Sequence, residues 1–286
     1  MIDNLEYKWE SASISPALKE GEVHLWKVEL DRDPAVISLL YDLLSDDEQQ
    51  RADRYVFARD RQHFIAGRAS LRKIIGGYLG IAPERVGFST LRFGKPFLEA
   101  DDGGLRFNVS HSNGIAAIAV SLNREVGVDI EFVDRNFDVA GVAPNVFSSA
   151  EVSRISSLPV DLQAETFFSG WTRKEAFLKA MGDGLSSSEE LQNAVSVLNE
   201  EDASFRSVEN NKIADWSLTS FKIHDDFKAA LVVQGEIGTL RYWNMVEDQV
   251  SNFLPHLRPV ASAEKSINLR KPVEVEFEAV SNLCVE

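Results

Sequence analysis

The stretch Val126-Gly-Val-Asp-Ile-Glu131 does most to constrain how this chain folds. Its apolar residues alternate with a glycine and two carboxylates, which is the pattern of a strand with one face turned to a core. Successive side chains of a strand point to opposite faces, so Asp129 and Glu131 share one face while Val126, Val128, Ile130 and Phe132 share the other. Downstream, Trp171-Thr-Arg-Lys-Glu-Ala-Phe-Leu-Lys179 has helical spacing. Residues four apart on a helix are neighbours, so Glu175 and Lys179 point the same way, at the margin of a narrow apolar stripe of Phe167, Trp171 and Leu178. Three carboxylates and one lysine, if they converge, suit a Mg²⁺ ion and a phosphate group. Each piece alone has a plainer explanation, a solvated strand face or an exposed Glu–Lys pair contributing about 0.2–0.5 kcal/mol.

Around these two segments the pattern predicts an α+β fold of two similar lobes, each a small, mainly antiparallel sheet packed with a long helix. Residues 22–30 alternate as a strand and 34–44 are helix-like. Ser45-Asp-Asp-Glu48 has the spacing of a capping box and opens a long helical region over 46–79, broken near Phe57–Asp60 and stopped by Gly76, Gly77 and Gly80. Strands are expected near 86–90, 105–109, 115–121 and 125–131. A second capping box, Ser148 to Glu151, begins a helical segment, and a further helix over 161–181 ends at Gly182 and Gly184. Strands return near 194–198, 217–223 and 228–234, and Lys271–Phe277 reads as a peripheral strand or an extended arm. The expected division is an N-terminal lobe over 1–123, a C-terminal lobe over 124–246 and an extension over 247–286.

Composition narrows the function classes. A net charge of −15 argues against nonspecific binding to nucleic acid or to an anionic membrane. Any anion site must therefore be locally basic or assisted by a metal. The single cysteine, Cys284, rules out an intrachain disulfide and a cysteine-rich zinc site. No apolar run is long enough to span a bilayer and no signal-peptide pattern opens the chain, so a cytoplasmic location is expected.

Local positive charge is available. Between Arg51 and Lys73 lie Arg54, Arg59, Arg61, His63, Arg68 and Arg72. Gly94-Lys-Pro96 is a turn signal in which a glycine allows close backbone approach and Lys95 adds a cation. Phe107-Asn-Val-Ser-His111 is a strand running into a polar turn, with Ser110 and His111 as possible donors to phosphate oxygens. No Walker A loop, dinucleotide fingerprint, nucleophile elbow or His-Glu-x-x-His pair occurs.

Taken in order, these pieces resemble the 4′-phosphopantetheinyl transferase superfamily, of the surfactin-synthetase-activating (Sfp-type) group. The family signature is similar to Gly127-Val-Asp-Ile-Glu131 followed by Trp171 through Lys179, with Gly94-Lys-Pro96 and Phe107–His111 upstream. The segment Arg51–Asp60, continuing to Gly67-Arg68 and Leu71-Arg72, resembles the N-lobe helix of the family. The resemblance covers roughly residues 20–235. It implies transfer of 4′-phosphopantetheine from coenzyme A to a serine of an apo acyl or peptidyl carrier protein, with release of 3′,5′-ADP. It further implies that Asp129, Glu131 and Glu175 bind Mg²⁺, and that Lys179 contacts the pyrophosphate and stabilises the leaving phosphate. Glu175, or a metal-bound water beside it, would be the base. Ser110 and His111 would bind coenzyme A phosphates, His111 near the 3′-phosphate. Lys95, beside Gly94 and Pro96, would sit against the adenine nucleotide, and Arg51 would clamp the 3′-phosphate.

One position departs from the pattern: Glu48 stands where some Sfp-type enzymes carry a second lysine, which leaves Arg59 or Arg68 to complete the clamp. Alternatives of other classes are a non-catalytic carrier-binding module of the same fold and a Mg²⁺-dependent nucleotide hydrolase. A monomer is expected, with an apolar carrier-docking patch built from Phe132, Phe137, and Val146 and Phe147 in a loop over 140–150.

Overall fold

The computed structural model describes residues 8–11, 16–90, 95–99, 103–182, 203–209 and 212–245. The expected strands near 194–198 and 271–277, together with Gly94 and Gly184, lie outside the described residues. Among the described residues, no helix is long and apolar enough to cross a membrane.

In the first lobe, β2 (Glu22–Glu29) leads through α1 (Pro34–Tyr41) and α2 (Asp46–Ala52) to the long α3 (Ala58–Leu79). The capping box at Ser45 and Glu48 forms as read, and the helical region breaks over residues 53–57. A hairpin of β3 (Phe88–Thr90) and β4 (Pro96–Leu98) follows, then β5 (Leu105–Ser112) and β6 (Ile115–Leu122). In the second lobe, β7 (Val126–Phe132) precedes α4 (Val139–Val146), α5 (Ser149–Ser156) and the long α6 (Val160–Met181). β8 (Ala203–Glu209), β9 (Lys212–Ser220) and β10 (Phe227–Gln234) then pair with β7 in an antiparallel sheet of order β7-β10-β9-β8. Both long helices end on a glycine at positive φ, Gly80 at 66° and Gly182 at 81°, where a side chain would be strained.

The first sheet has the order β1-β11-β2-β6-β5, with β1 (Glu10–Ser11) at one edge. β11 (Thr239–Asn244) crosses back from the end of the described chain and lies parallel to β2. Residues 124–246 are thus not confined to the second sheet. No local pattern announces β11, because a parallel partner far away in sequence leaves no trace in turn residues or spacing.

The two sheets meet through a core whose alternation can be read strand by strand. Ile115, Ala117 and Ala119 of β6 pack with Val126, Val128 and Ile130 of β7 and with Ala229, Leu231 and Val233 of β10. The intervening Ala116, Ile118 and Val120 turn to the other side and pack with α3 residues such as Ile65, Ala69 and Ile75. β7 makes the same division: its apolar residues face the first lobe, and Gly127, Asp129 and Glu131 face α6.

The 140–150 segment is mostly helix α4 rather than a loop, and its final residues are core. Val146 is 3% and Phe147 1% exposed, and Phe147 packs edge-on to Phe167. Phe137 packs against Phe167 and Phe168, and Phe132 against Phe227. The expected docking patch therefore loses Val146 and Phe147 to the interior, because aromatic area of that size is worth more buried than presented to water. Beneath α4 and α5, the fully buried Lys174 ammonium bonds Glu151 at 3.0 Å and the Val146 carbonyl at 3.3 Å. Glu151 is also the capping-box residue of α5, so one carboxylate closes a helix end and anchors that helix to α6.

Sheet and helix approach closely at Gly127. A Cβ there would overlap the Ala176 carbonyl and the Ala180 amide of α6. Both are backbone groups, which cannot swing aside. We predict that Gly127→Ala lowers stability by about 1–3 kcal/mol, the usual cost of overpacking, and moves α6 off β7. Thermal unfolding read by circular dichroism tests this, and an unchanged melting temperature would refute the contact.

Candidate active site

The approach of α6 to β7 brings the two sequence segments together. Asp129 is 2% exposed, and its Oδ1 accepts hydrogen bonds from Lys179 Nζ at 2.6 Å and Ser110 Oγ at 2.7 Å. Lys179 Nζ also donates to Ser110 Oγ at 3.1 Å. Glu131, two residues on, accepts from Ser112 Oγ at 2.9 Å and from the Trp171 side chain. Glu175 lies one helical turn before Lys179 and close enough to feel the charge of Asp129. So Asp129, Glu131, Glu175, Lys179 and Ser110 form one cluster at the junction of the lobes.

Its electrostatics are those of too much negative charge in too little water. Burial, then the repulsion of Asp129, pushes both Glu131 and Glu175 up to about 7. Burial works against the Lys179 ammonium, but Asp129, Glu175 and Glu131 outweigh it and hold the lysine above its ordinary range. One ammonium thus faces three carboxyls. Asp129 Oδ2 is buried and has no hydrogen-bond partner. Among the described residues, no group of three or more His, Cys, Asp or Glu side chains is arranged as a ready-made metal shell. The donor chemistry nevertheless fits a hard divalent cation: the oxygens are carboxylates, one is orphaned, and the excess charge needs a counterion.

The remaining expected residues are spread around this cluster. His111 lies at the exposed rim of β5, yet enough protein packs against its ring, with Lys179 and His63 near, to lower its pKa. Lys95 reaches across the lobes: its Nζ donates to the Lys179 carbonyl at 2.7 Å and the Ala180 carbonyl at 3.4 Å, at the C-terminal end of α6. An ammonium there meets the unsatisfied carbonyls and the negative end of the helix dipole. Pro96 opens β4. Arg51 stands on the last turn of α2 with its guanidinium 5.2 Å from the Phe64 ring centroid.

The basic residues expected to complete a clamp with Arg51 are engaged elsewhere. Arg68 bonds Glu48 at 3.0 Å, and Arg59 lies 3.5 Å from Asp31. Glu48 itself is 4% exposed and also bonds Arg72 at 2.6 Å, while Arg72 donates onward to the Pro83 and Val86 carbonyls. The departure at Glu48 is thus the hub of a buried charge network in the first lobe.

Sequence reasoning missed three contributors. Gly127 permits the close approach of α6, and Asn108 and Ser112 bond the backbone of β7. The available signal was the alternation of Asn108, Ser110 and Ser112 on an otherwise apolar strand.

These charges have two measurable consequences. Glu48→Lys sets an ammonium beside Arg68 and Arg72, and losing a buried partner costs about 3–5 kcal/mol, so chemical denaturation should show a loss of that order. The second concerns pH. A carboxyl whose folded pKa is raised stabilises the fold fully below its ordinary range, and that contribution is lost as pH climbs through the folded value, here about 7. Chelator-treated protein should therefore lose melting temperature between about pH 4.5 and about pH 7, and Glu175→Gln should flatten the loss. An identical pH profile for the two proteins would overturn this assignment.

Residues 125–232 match the family model of the 4′-phosphopantetheinyl transferase superfamily. Residues 32–123 match the model of the 4′-phosphopantetheinyl transferase N-terminal region. The 4′-phosphopantetheinyl transferase HetI of Nostoc sp. is 36% identical over 242 residues, which is 84% of this chain and 99% of the relative. The 4′-phosphopantetheinyl transferase gsp of Aneurinibacillus migulanus is 33% identical over 159 residues, 56% of this chain and 65% of the relative. A human protein, L-aminoadipate-semialdehyde dehydrogenase-phosphopantetheinyl transferase, is 30% identical over 154 residues, 50% of this chain and 49% of the relative.

Proposed function

This chain belongs to the 4′-phosphopantetheinyl transferase superfamily, and on that premise we propose that it transfers phosphopantetheine from coenzyme A to a serine of an apo acyl or peptidyl carrier protein, releasing 3′,5′-ADP. The observation that supports the reading best is the buried, unpartnered Oδ2 of Asp129 in a carboxyl cluster faced by a single lysine. Asp129, Glu131 and Glu175 would hold Mg²⁺, which when bound supplies charge neutralisation and orientation of the pyrophosphate.

The chain's own side chains carry the rest of the chemistry. The carrier serine oxygen attacks the β-phosphorus of coenzyme A, and the bond from that phosphorus to the bridging oxygen breaks. Glu175, or a water beside it, takes the serine proton as the new bond forms. Lys179 stays protonated and meets the negative charge that grows on the departing 3′,5′-ADP. Lys95 holds the last turn of α6 and with it the backbone from which Lys179 projects. Arg51 and His111 offer positive or donor groups to the nucleotide phosphates. Most of the acceleration then comes from positioning and charge stabilisation rather than covalent catalysis.

The test is intact mass spectrometry of apo carrier proteins incubated with coenzyme A and Mg²⁺. The unaltered enzyme should add the phosphopantetheine mass to the carrier. Asp129→Asn keeps the size of this buried side chain and should lower the rate about 10²–10³-fold with an unchanged circular dichroism spectrum. Full activity in that variant, or 3′,5′-ADP release without carrier modification, would overturn the proposal.

A further inference from the structure

The two lobes are joined along the edges of their sheets, β5 in one and β7 in the other. Three amides of β7 point across this seam and are met by side chains of β5 rather than by carbonyls. Val128 N–H donates to Asn108 Oδ1 at 2.9 Å, Ile130 N–H to Ser110 Oγ at 3.3 Å, and Phe132 N–H to Ser112 Oγ at 3.1 Å. The offset is the same at every rung, so the contacts form a ladder in parallel register. Each serine has a second task. Ser110 Oγ donates its proton to Asp129, and Ser112 Oγ donates its proton to Glu131. The rung is therefore a fixed unit: a hydroxyl accepts the amide of one β7 residue and donates to the carboxylate of the residue before it.

A hydroxyl has one proton and two lone pairs, so each serine can hold both partners at once and in only one orientation. The amide is part of a paired strand and does not move, so it sets the direction of the hydroxyl, and the hydroxyl sets the direction of the carboxylate. At Ser110 the arrangement ties down Oδ1 of Asp129 and leaves Oδ2 free. At Ser112 it ties down Oε2 of Glu131, leaving Oε1 as the oxygen not engaged by that hydroxyl. Asn108 completes the seam at Val128, where the residue before is Gly127 and no carboxylate needs to be held.

We infer that Ser112 is a positioning residue for the transfer reaction, aiming the Glu131 carboxylate by referring it to the Phe132 amide across the lobe seam. The inference rests on the reading of Glu131 as a divalent-cation ligand. Partners that orient a ligating carboxylate typically contribute about 10–100-fold to metal affinity.

The experiment is a Mn²⁺ titration of the full chain, followed by electron paramagnetic resonance in the presence of 3′,5′-ADP, alongside thermal unfolding. Ser112 is only partly buried, so its variants should fold. Ser112→Ala should weaken Mn²⁺ binding by about 10-fold or more, and Ser112→Thr, which keeps the hydroxyl, should restore it. In turnover, Ser112→Ala should raise the Mg²⁺ requirement and leave the KM for coenzyme A unchanged. A Ser112→Ala protein that loses melting temperature but binds Mn²⁺ normally would reduce the residue to a seam contact and overturn the inference. So would a failure of threonine to restore affinity. If the unaltered protein binds no Mn²⁺ at all, the cation reading itself fails and the inference falls with it.

Discussion

The rest of this structure depends on one contact, the backbone of α6 laid directly on β7 over Gly127. Without a side chain at that position, strand and helix come close enough for side chains from both to meet. Asp129 and Glu131 project from the strand on the same face as Gly127, and Glu175 and Lys179 from the helix toward them. The result is a group of three carboxyls and one ammonium with little water around it. Such a group is costly to fold, and only part of that cost is offset by the bonds from Lys179 and Ser110 to Asp129. The remainder appears as raised carboxyl pKa values and one unpartnered oxygen. A site strained in this direction gains from any ligand that brings positive charge.

The seam between the lobes performs a second kind of work. Sheet edges expose amides that invite association with other chains. Here the edges of β5 and β7 are matched to each other by the Asn108, Ser110 and Ser112 side chains, so the seam has specific partners and a fixed register. Lys95 adds a third tie across the lobes at the end of α6. Residues implied in nucleotide binding lie on the first lobe and the carboxylates on the second. The relative placement of the lobes therefore decides whether the two sets can act on one substrate.

Much of the scaffold was legible in the chain because its signals are local. The capping boxes at Ser45 and Ser148, the terminal glycines of α3 and α6, and the alternation in β7 depend on neighbours within a few residues. Where the reading went astray, the cause was nonlocal. Val146 and Phe147 read as exposed loop residues because nothing nearby reveals that α6 lies over them. Glu48 read only as a departure from the family pattern, and the partners that claim it, Arg68 and Arg72, lie a full helix away in sequence. β11 pairs with a strand more than two hundred residues earlier and left no mark that a periodicity could find.

The same division holds for the site. The sequence by itself determined which side chains share a face, since a period of two puts Asp129 and Glu131 on one strand face and a period near four puts Glu175 and Lys179 on one helix face. These are properties of the backbone geometry and need no partner. Only the tertiary structure decided that the two faces meet, that Lys179 bonds Asp129 rather than Glu175, and that the hydroxyls of Ser110 and Ser112 are already committed to carboxylates. The reason is that such choices turn on distances between elements, set by how closely α6 can lie on β7. A single absent side chain at Gly127 permits that closeness, and its meaning appears only when the helix is in place.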